Sequence, residues 1–177
     1  MLGWSLGAII AQALTVRYPQ LVEKLILVAG TAQFLKSDSW PHGTDQATFM
    51  QFADNVRREY RSSIERFLAI QTLGSKQALS QIKQLKKIMF TEPDPSTEAL
   101  SGGLQILQSC QLQKQIADIG CECLFISGKS DRLIDPRASQ ASANLIPAAN
   151  HIQIAGAGHA PFISHPAEFY SALEAML

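Results

Sequence analysis

The pentapeptide Gly3-Trp4-Ser5-Leu6-Gly7 decides the interpretation of this sequence. Its G-x-S-x-G pattern predicts a sharp turn from a buried strand into a helix, with glycines where a Cβ would clash and the serine hydroxyl raised above the sheet. The small, apolar residues from Ala8 to Leu14 predict a helix that packs closely behind this turn. Only Met1 and Leu2 precede the motif, so we expect little of the strand that should lead into it.

Apolar segments after the turn predict the remaining strands of an α/β fold. The segments from Val22 to Gly30 and from Cys121 to Gly128 each contain a continuously apolar run, Leu25 to Ala29 and Leu124 to Ile126, which is typical of central parallel strands. The segment from His151 to Ala155 alternates apolar and polar residues, as expected near a sheet edge. We therefore expect about three parallel strands with helices. Because so little precedes Ser5, we also expect Leu25 to Ala29 to form an exposed hydrophobic edge.

The residues between the first two of these runs differ in kind. Apolar residues from Phe49 to Leu68 follow helical spacing, Ser75 is expected to cap another helix that bears Leu79, Ile82, Leu85 and Met89, and Ser96 is expected to open a further one. The pattern predicts an all-helical insertion. The predicted organisation is therefore a core made of residues 1–32 and 120–177, with a helical lid at residues 33–119.

Composition restricts the functions that this chain can have. Fifteen basic and fifteen acidic residues cancel, so the net charge indicates neither nucleic acid nor a membrane as partner. Positive charge is nevertheless concentrated between Arg57 and Lys87. The three cysteines, Cys110, Cys121 and Cys123, lack the spacing of a disulfide framework or a zinc site, which favours the reducing cytoplasm.

Two further residues fit the partners that a nucleophilic serine requires. A serine hydroxyl needs an imidazole to accept its proton, and the imidazole needs a carboxylate to fix its tautomer. Asp131 follows the second apolar run and His159 follows the third, in the chain order Ser, Asp, His. The predicted catalytic residues are Ser5, Asp131 and His159, with the backbone N–H of Leu6 as an oxyanion donor and no metal or cofactor.

Other residues could compete for these roles. Asp135 precedes Pro136, where capping of a helix is the more common role of an aspartate. The alternative histidines lie before Pro166, in a Pro-His-Gly turn and at the start of a predicted strand; they are His165, His42 and His151. His159 is favoured as the base because it lies in a glycine-rich loop.

Five phrases carry a resemblance to a known family. They are Gly3 to Gly7, Ile64 to Gly74, Leu85 to Lys87, Gly102 to Leu104 and His159 to Phe169. Together they resemble the α/β-hydrolase superfamily, and within it the pimeloyl-[acyl-carrier protein] methyl ester esterases of biotin synthesis. The resemblance implies a cytoplasmic serine carboxylesterase that removes the methyl group from a pimeloyl chain on acyl-carrier protein, and that is a monomer at full length.

The resemblance also assigns roles to individual residues. Trp4, Leu6 and Phe67 match residues beside the bound ester, and Arg66 matches a docking residue for the acidic carrier, with Lys83 as a substitute for another. The family's amino-terminal part, which supplies further strands and the second oxyanion donor, is missing from this sequence. We therefore expect the 177 residues alone to show little activity. The alternatives are a broad-specificity short-acyl esterase or lipase and a truncated, non-catalytic remnant.

Overall fold

In the described part of the chain, the fold is built on a sheet of four parallel strands that are neighbours in chain order. The computed structural model describes residues 1–71, 83, 86–87, 90–91, 93–174 and 176, apart from the side chains of residues 70 and 71. The strands are β1 (Leu2–Trp4), β2 (Lys24–Val28), β3 (Glu122–Gly128) and β4 (Ala149–Ile154). The α-helices are α1 (Leu6–Arg17), α2 (Gln46–Arg58), α3 (Tyr60–Gln71), α4 (Thr97–Ser109), α5 (Pro136–Ala143), α6 (Pro161–Ser164) and α7 (Pro166–Glu174). This architecture confirms the predicted α/β class.

The central strands are apolar on both faces because helices cover both sides of the sheet. In β2, Leu25 and Leu27 belong to a buried cluster that includes α1, α5 and parts of α2 and α4. Val28 belongs to a second cluster on the opposite face, where residues of α7 pack. A strand covered on both faces has no polar side to alternate with. This explains why β2 and β3 appear in the sequence as uninterrupted apolar runs.

The prediction that Leu25 to Ala29 form an exposed edge is wrong. The three residues of β1 pair in parallel with Ile26, Leu27 and Val28, and the Ser5 N–H donates to the Val28 carbonyl at 3.0 Å. A three-residue strand is too short to show an apolar period in the sequence, yet its backbone groups suffice to cover most of β2. The described sheet thus has four strands rather than about three, and β1 is one of its two outer strands, where Leu2 is 54% exposed.

Helices are the main secondary structure of the residues described between β2 and β3. Asp45 caps α2 and Ser96 caps α4, in both cases by accepting hydrogen bonds from backbone N–H groups. In the described part of this interval, extended pairing is limited to isolated bridges such as Gln33 with Gln111. The predicted helix capped by Ser75, with Leu79, Ile82, Leu85 and Met89, lies outside the described residues.

The described lid helices share a core with the sheet. Phe49 and Ala53 of α2 and Leu104 of α4 lie in the same buried cluster as Ile9 of α1 and Leu27 of β2. The division into a core of residues 1–32 and 120–177 and a lid of residues 33–119 stays a prediction. None of the described helices combines the length and the apolar character needed to cross a membrane.

Candidate active site

Ser5 lies at a strained turn between β1 and α1. Its backbone has φ +55° and ψ −118°, a conformation that non-glycine residues rarely adopt. A Cβ at Gly3 would lie 2.4 Å from the Gly7 carbonyl oxygen, so this position requires glycine. A Cβ at Gly7 would meet no described atom within 4 Å, so the clash expected at both glycines is confirmed only at Gly3. The turn directs the helix away from the strand directly after Ser5.

Asp131 forms a buried pair with His159. The carboxylate Oδ2 lies 2.8 Å from His159 Nδ1, and both side chains are fully buried. The other oxygen, Oδ1, accepts hydrogen bonds from the N–H groups of Leu133 at 2.8 Å and Ile134 at 3.0 Å. One oxygen therefore anchors the carboxylate to its own loop after β3, while the second is directed at the imidazole.

The loop that carries His159 packs against the end of β3. A Cβ at Gly128 would lie 2.1 Å from the Gly158 carbonyl oxygen, so only glycine permits this approach. The Ser130 N–H also donates to the Ala157 carbonyl at 2.8 Å. Trp4 then fixes the histidine backbone, because its Nε1 donates to the His159 carbonyl at 2.8 Å. Residues from β1, β3 and the loop after β4 thus meet at the carboxyl ends of the strands.

The second ring nitrogen of His159 has no partner among the described residues. Its Nε2 is buried and makes no hydrogen bond there. Buried polar atoms are usually paired, so an unpaired nitrogen indicates a role beyond stability. With a carboxylate at Nδ1, the neutral ring keeps its proton on Nδ1, and the lone pair of Nε2 is free to accept one. An imidazole in this state can act as a general base.

Aromatic rings surround the imidazole. Ring centroids of Trp4 and Phe67 lie 5.5 and 6.1 Å from that of His159. Sequence reasoning did not anticipate Phe162, whose ring meets Trp4 edge-on at 5.2 Å, although its place after His159 in the chain was a signal. The backbone donors to Asp131 were not predicted from the sequence either.

Leu6 lies beside α4, because a Cβ at Gly103 would be 3.3 Å from the Leu6 Cδ2 atom.

Three of the four competing residues have hydrogen-bond partners other than the candidate catalytic residues. Asp135 caps α5 by accepting from the Arg137 N–H at 2.9 Å, and hydrogen bonds from the Arg137 side chain lower the pKa of this carboxyl. His151 lies between Ser127 Oγ at 2.8 Å and Gln140 Oε1 at 2.7 Å, and burial lowers its pKa. His165 Nδ1 contacts Ser164 Oγ at 2.9 Å. His42 lies in an exposed polar cavity beside Lys129.

Acidic neighbours offset much of the positive charge on the lid. Arg66 lies 3.7 Å from Glu59, and Lys86 lies 3.2 Å from Glu65. Further ion pairs join Arg57 to Asp54 and Arg61 to Asp94. Lys83 is exposed. No group of three potential metal ligands is found among the described residues.

Comparison with known proteins agrees with this geometry. Residues 1–166 match the sequence profile of the family described as "alpha/beta hydrolase fold". The chain belongs to the α/β-hydrolase family. The resemblance expected from the sequence is thereby confirmed.

This α/β-hydrolase is similar to named esterases. It is 38% identical over 175 residues to the pimeloyl-[acyl-carrier protein] methyl ester esterase of Xylella fastidiosa (strain M12), covering 98% of this chain and 68% of the relative. It is 37% identical over 173 residues to the enzyme of the same name from Xanthomonas oryzae pv. oryzae (strain MAFF 311018), with the same coverage.

The solved structures extend this likeness at the level of fold. The crystal structure of a bromoperoxidase from Bacillus anthracis superposes with a TM-score of 0.87 at 19% identity, covering 98% of this chain and 65% of the other. At this identity the likeness concerns the fold alone. The chain thus spans about two thirds of the length of the proteins that it matches.

Proposed function

We propose that this α/β-hydrolase is a serine carboxylesterase with Ser5 as nucleophile, His159 as base and Asp131 as orienting acid. The observation that carries the proposal is the state of His159: Nδ1 contacts a buried carboxylate at 2.8 Å, while Nε2 is buried and has no partner in the described part of the chain. A ring held in this way accepts a proton from a serine hydroxyl when substrate excludes water. Ser5 lies at the end of a strand two positions away from β3 in the same sheet.

The first half of the reaction forms an acyl-enzyme. Ser5 Oγ attacks the ester carbonyl carbon as its proton passes to His159 Nε2, and the carbonyl oxygen takes up negative charge. The N–H of Leu6 is suited to stabilise this oxyanion, because the first residue of a helix has no carbonyl partner within that helix. His159 then returns the proton to the departing alkoxide, which leaves as methanol.

The second half restores the enzyme. Water attacks the acyl carbon as His159 Nε2 accepts one of its protons, and the bond to Ser5 Oγ breaks as that proton passes to the serine. Throughout, the Asp131 side chain orients the imidazole and stabilises the transient imidazolium. The two backbone hydrogen bonds to its Oδ1 keep the carboxylate from rotating away. The products are methanol and a free carboxylic acid.

We propose the methyl ester of a pimeloyl chain on acyl-carrier protein as the substrate. The proposal rests on the names of relatives up to 38% identical that this chain covers almost completely. The aromatic surroundings support it, since the rings of Trp4 and Phe67 both lie near the His159 ring and offer apolar surface suited to an alkyl chain. Leu6 contributes a further apolar side chain beside Ser5.

Docking of the carrier is assigned to Arg66 and Lys83, both of which are exposed. Because many lid cations are already paired with acidic residues, the interaction should depend on a few charges and be screened by salt. Changing Arg66 and Lys83 to Glu should raise KM for the carrier-bound ester and leave a small p-nitrophenyl ester unaffected. Equal losses on both substrates would contradict docking at these residues.

The proposed reaction is tested by methanol release from the pimeloyl-carrier methyl ester. The protein at full length should release methanol, and Ser5→Ala in the same protein should abolish release while its circular dichroism spectrum is unchanged. Ser130→Ala is the matched control, because Ser130 is an exposed serine near Asp131 and should retain activity. Release by Ser5→Ala at the parent's rate would refute the assignment.

A further inference from the structure

A second cavity lies under the described lid helices, beside the catalytic residues but separate from them. It has a volume of about 330 Å³, at the lower end of the range for small-molecule sites. Its walls come from α2, α3 and the loop after β3. The apolar lining residues are Phe34, Phe49, Phe52, Phe67 and Leu133. None of Ser5, Trp4, Leu6 and His159 lines it.

The ring of Phe67 separates this cavity from the catalytic histidine. Phe67 lines the cavity and also meets the His159 ring edge-on, with centroids 6.1 Å apart. The Phe67 ring also lies 6.3 Å from the ring of Phe52, another residue that lines the cavity. Leu133 connects the two sites as well, because its N–H holds Asp131 while its side chain lines the cavity. The cavity is therefore adjacent to the triad without being part of it.

The cavity combines an apolar interior with positive charge. Phe34 and Phe49 are buried, whereas the two arginines that line the cavity, Arg66 and Arg132, are exposed and so lie towards its mouth. Arg66 forms an ion pair with Glu59, whereas Arg132 has no ion-pair partner among the described residues. Among the described residues, no carboxylate lines this cavity. Its charge complements an anion attached to an apolar chain.

We propose that this cavity binds a medium-chain carboxylate, with the alkyl chain among the phenylalanines and the carboxylate at Arg132 and Arg66. The inference deepens the proposed function, on which it rests in one respect: ester cleavage produces a carboxylate on an apolar chain. Bound in this cavity, such a product would press on Phe67 and Leu133, which contact His159 and Asp131. The site would thus connect product binding to the triad.

The test is titration of octanoate by isothermal calorimetry into the Ser5→Ala protein, in which hydrolysis plays no part. Asn55 of α2 lines the cavity, so Asn55→Trp places a larger side chain in it. Displacing about two methylenes of the octanoate chain from the cavity should weaken octanoate binding about tenfold. Met50→Trp on the exposed face of α2 is the matched control. Arg132→Gln should weaken binding about two- to fivefold, as expected for an exposed ion pair, whereas Arg57→Gln should not.

The outcomes separate this proposal from the proposed function. Three results together support the cavity as a carboxylate site. Octanoate binding is saturable, Asn55→Trp weakens it while Met50→Trp does not, and 1-octanol binds more weakly than octanoate. The proposal is overturned if octanoate does not bind, or if Asn55→Trp leaves its affinity unchanged. It is also overturned if octanoate binds no more tightly than 1-octanol and Arg132→Gln does not change its affinity. Methanol release by Ser5→Ala would refute the esterase assignment and leave the calorimetric result intact.

Discussion

Replacing Asp131 by Asn tests how the structure sets the state of His159. The amide oxygen can keep both backbone hydrogen bonds that Oδ1 accepts, so the loop after β3 should hold its shape. The amide nitrogen then faces His159 Nδ1 at the position where Oδ2 now lies 2.8 Å away. Two donors cannot face each other, so the imidazole should move its proton to Nε2. The nitrogen that must accept the serine proton is then blocked.

The expected loss is about 10⁴-fold in kcat, equivalent to about 5 kcal/mol of transition-state stabilisation. The free energy of unfolding should change by about 1 kcal/mol or less, because the only change is one buried oxygen to NH₂. The assays are hydrolysis of a p-nitrophenyl ester and ¹⁵N NMR of the imidazole, which reports the tautomer without turnover. Asp135→Asn is the matched control, because Asp135 caps α5 and does not contact His159. An unchanged Nδ1–H tautomer in Asp131→Asn, or a greater loss of activity in Asp135→Asn, would refute the reasoning.

Three further expectations follow from packing and ionisation. Gly128→Ala should lower the free energy of unfolding in urea by at least about 1–3 kcal/mol, since its Cβ would overlap a carbonyl of the His159 loop. Gly102→Ala is the control, because a Cβ there meets no described atom within 4 Å, and equal unfolding midpoints for the two variants would contradict the packing. Burial lowers the pKa of His151, so below about pH 6.5 the unfolded chain binds more protons at this residue than the folded chain, and stability should fall as the pH drops. His151→Asn should flatten this part of the profile of stability against pH. An unaltered slope would exclude His151 as the cause. Burial raises the pKa of the Cys123 thiol to about 12, so iodoacetamide at pH 8 should label Cys123 far more slowly than the more exposed Cys121. The two labelling rates are measured by mass spectrometry, and equal rates would contradict the burial of Cys123.

Local patterns predicted the strands and the chain order of the site. Continuous apolar runs identified β2 and β3 because both faces of these strands are covered, and a proline after Asp135 identified the start of α5. The order Ser5, Asp131, His159 was informative because parallel strands place the loops at their carboxyl ends along one edge. Each of these signals lies within a few residues of the feature that it predicts.

Contacts between distant parts of the chain were not predictable in this way. The hydrogen bond from Trp4 to the His159 carbonyl and the contact of Phe67 with the His159 ring depend on which strands are neighbours and on how the lid packs. The contribution of β1 to the sheet was not predicted, because a strand of three residues is too short to show an apolar pattern in the sequence. Its position in the sheet depends on its pairing with β2. Gly7 fits the motif, yet no described atom explains it sterically.

The central claim is that Ser5 is a nucleophile activated by His159. The most direct measurement is intact-protein mass spectrometry after treatment with a fluorophosphonate, in which an activated serine oxygen displaces fluoride from phosphorus. The account predicts one adduct per chain, located on Ser5, absent in Ser5→Ala and strongly slowed in His159→Ala. An adduct that persists in Ser5→Ala, or labelling of Ser5 at the same rate in His159→Ala, would contradict it.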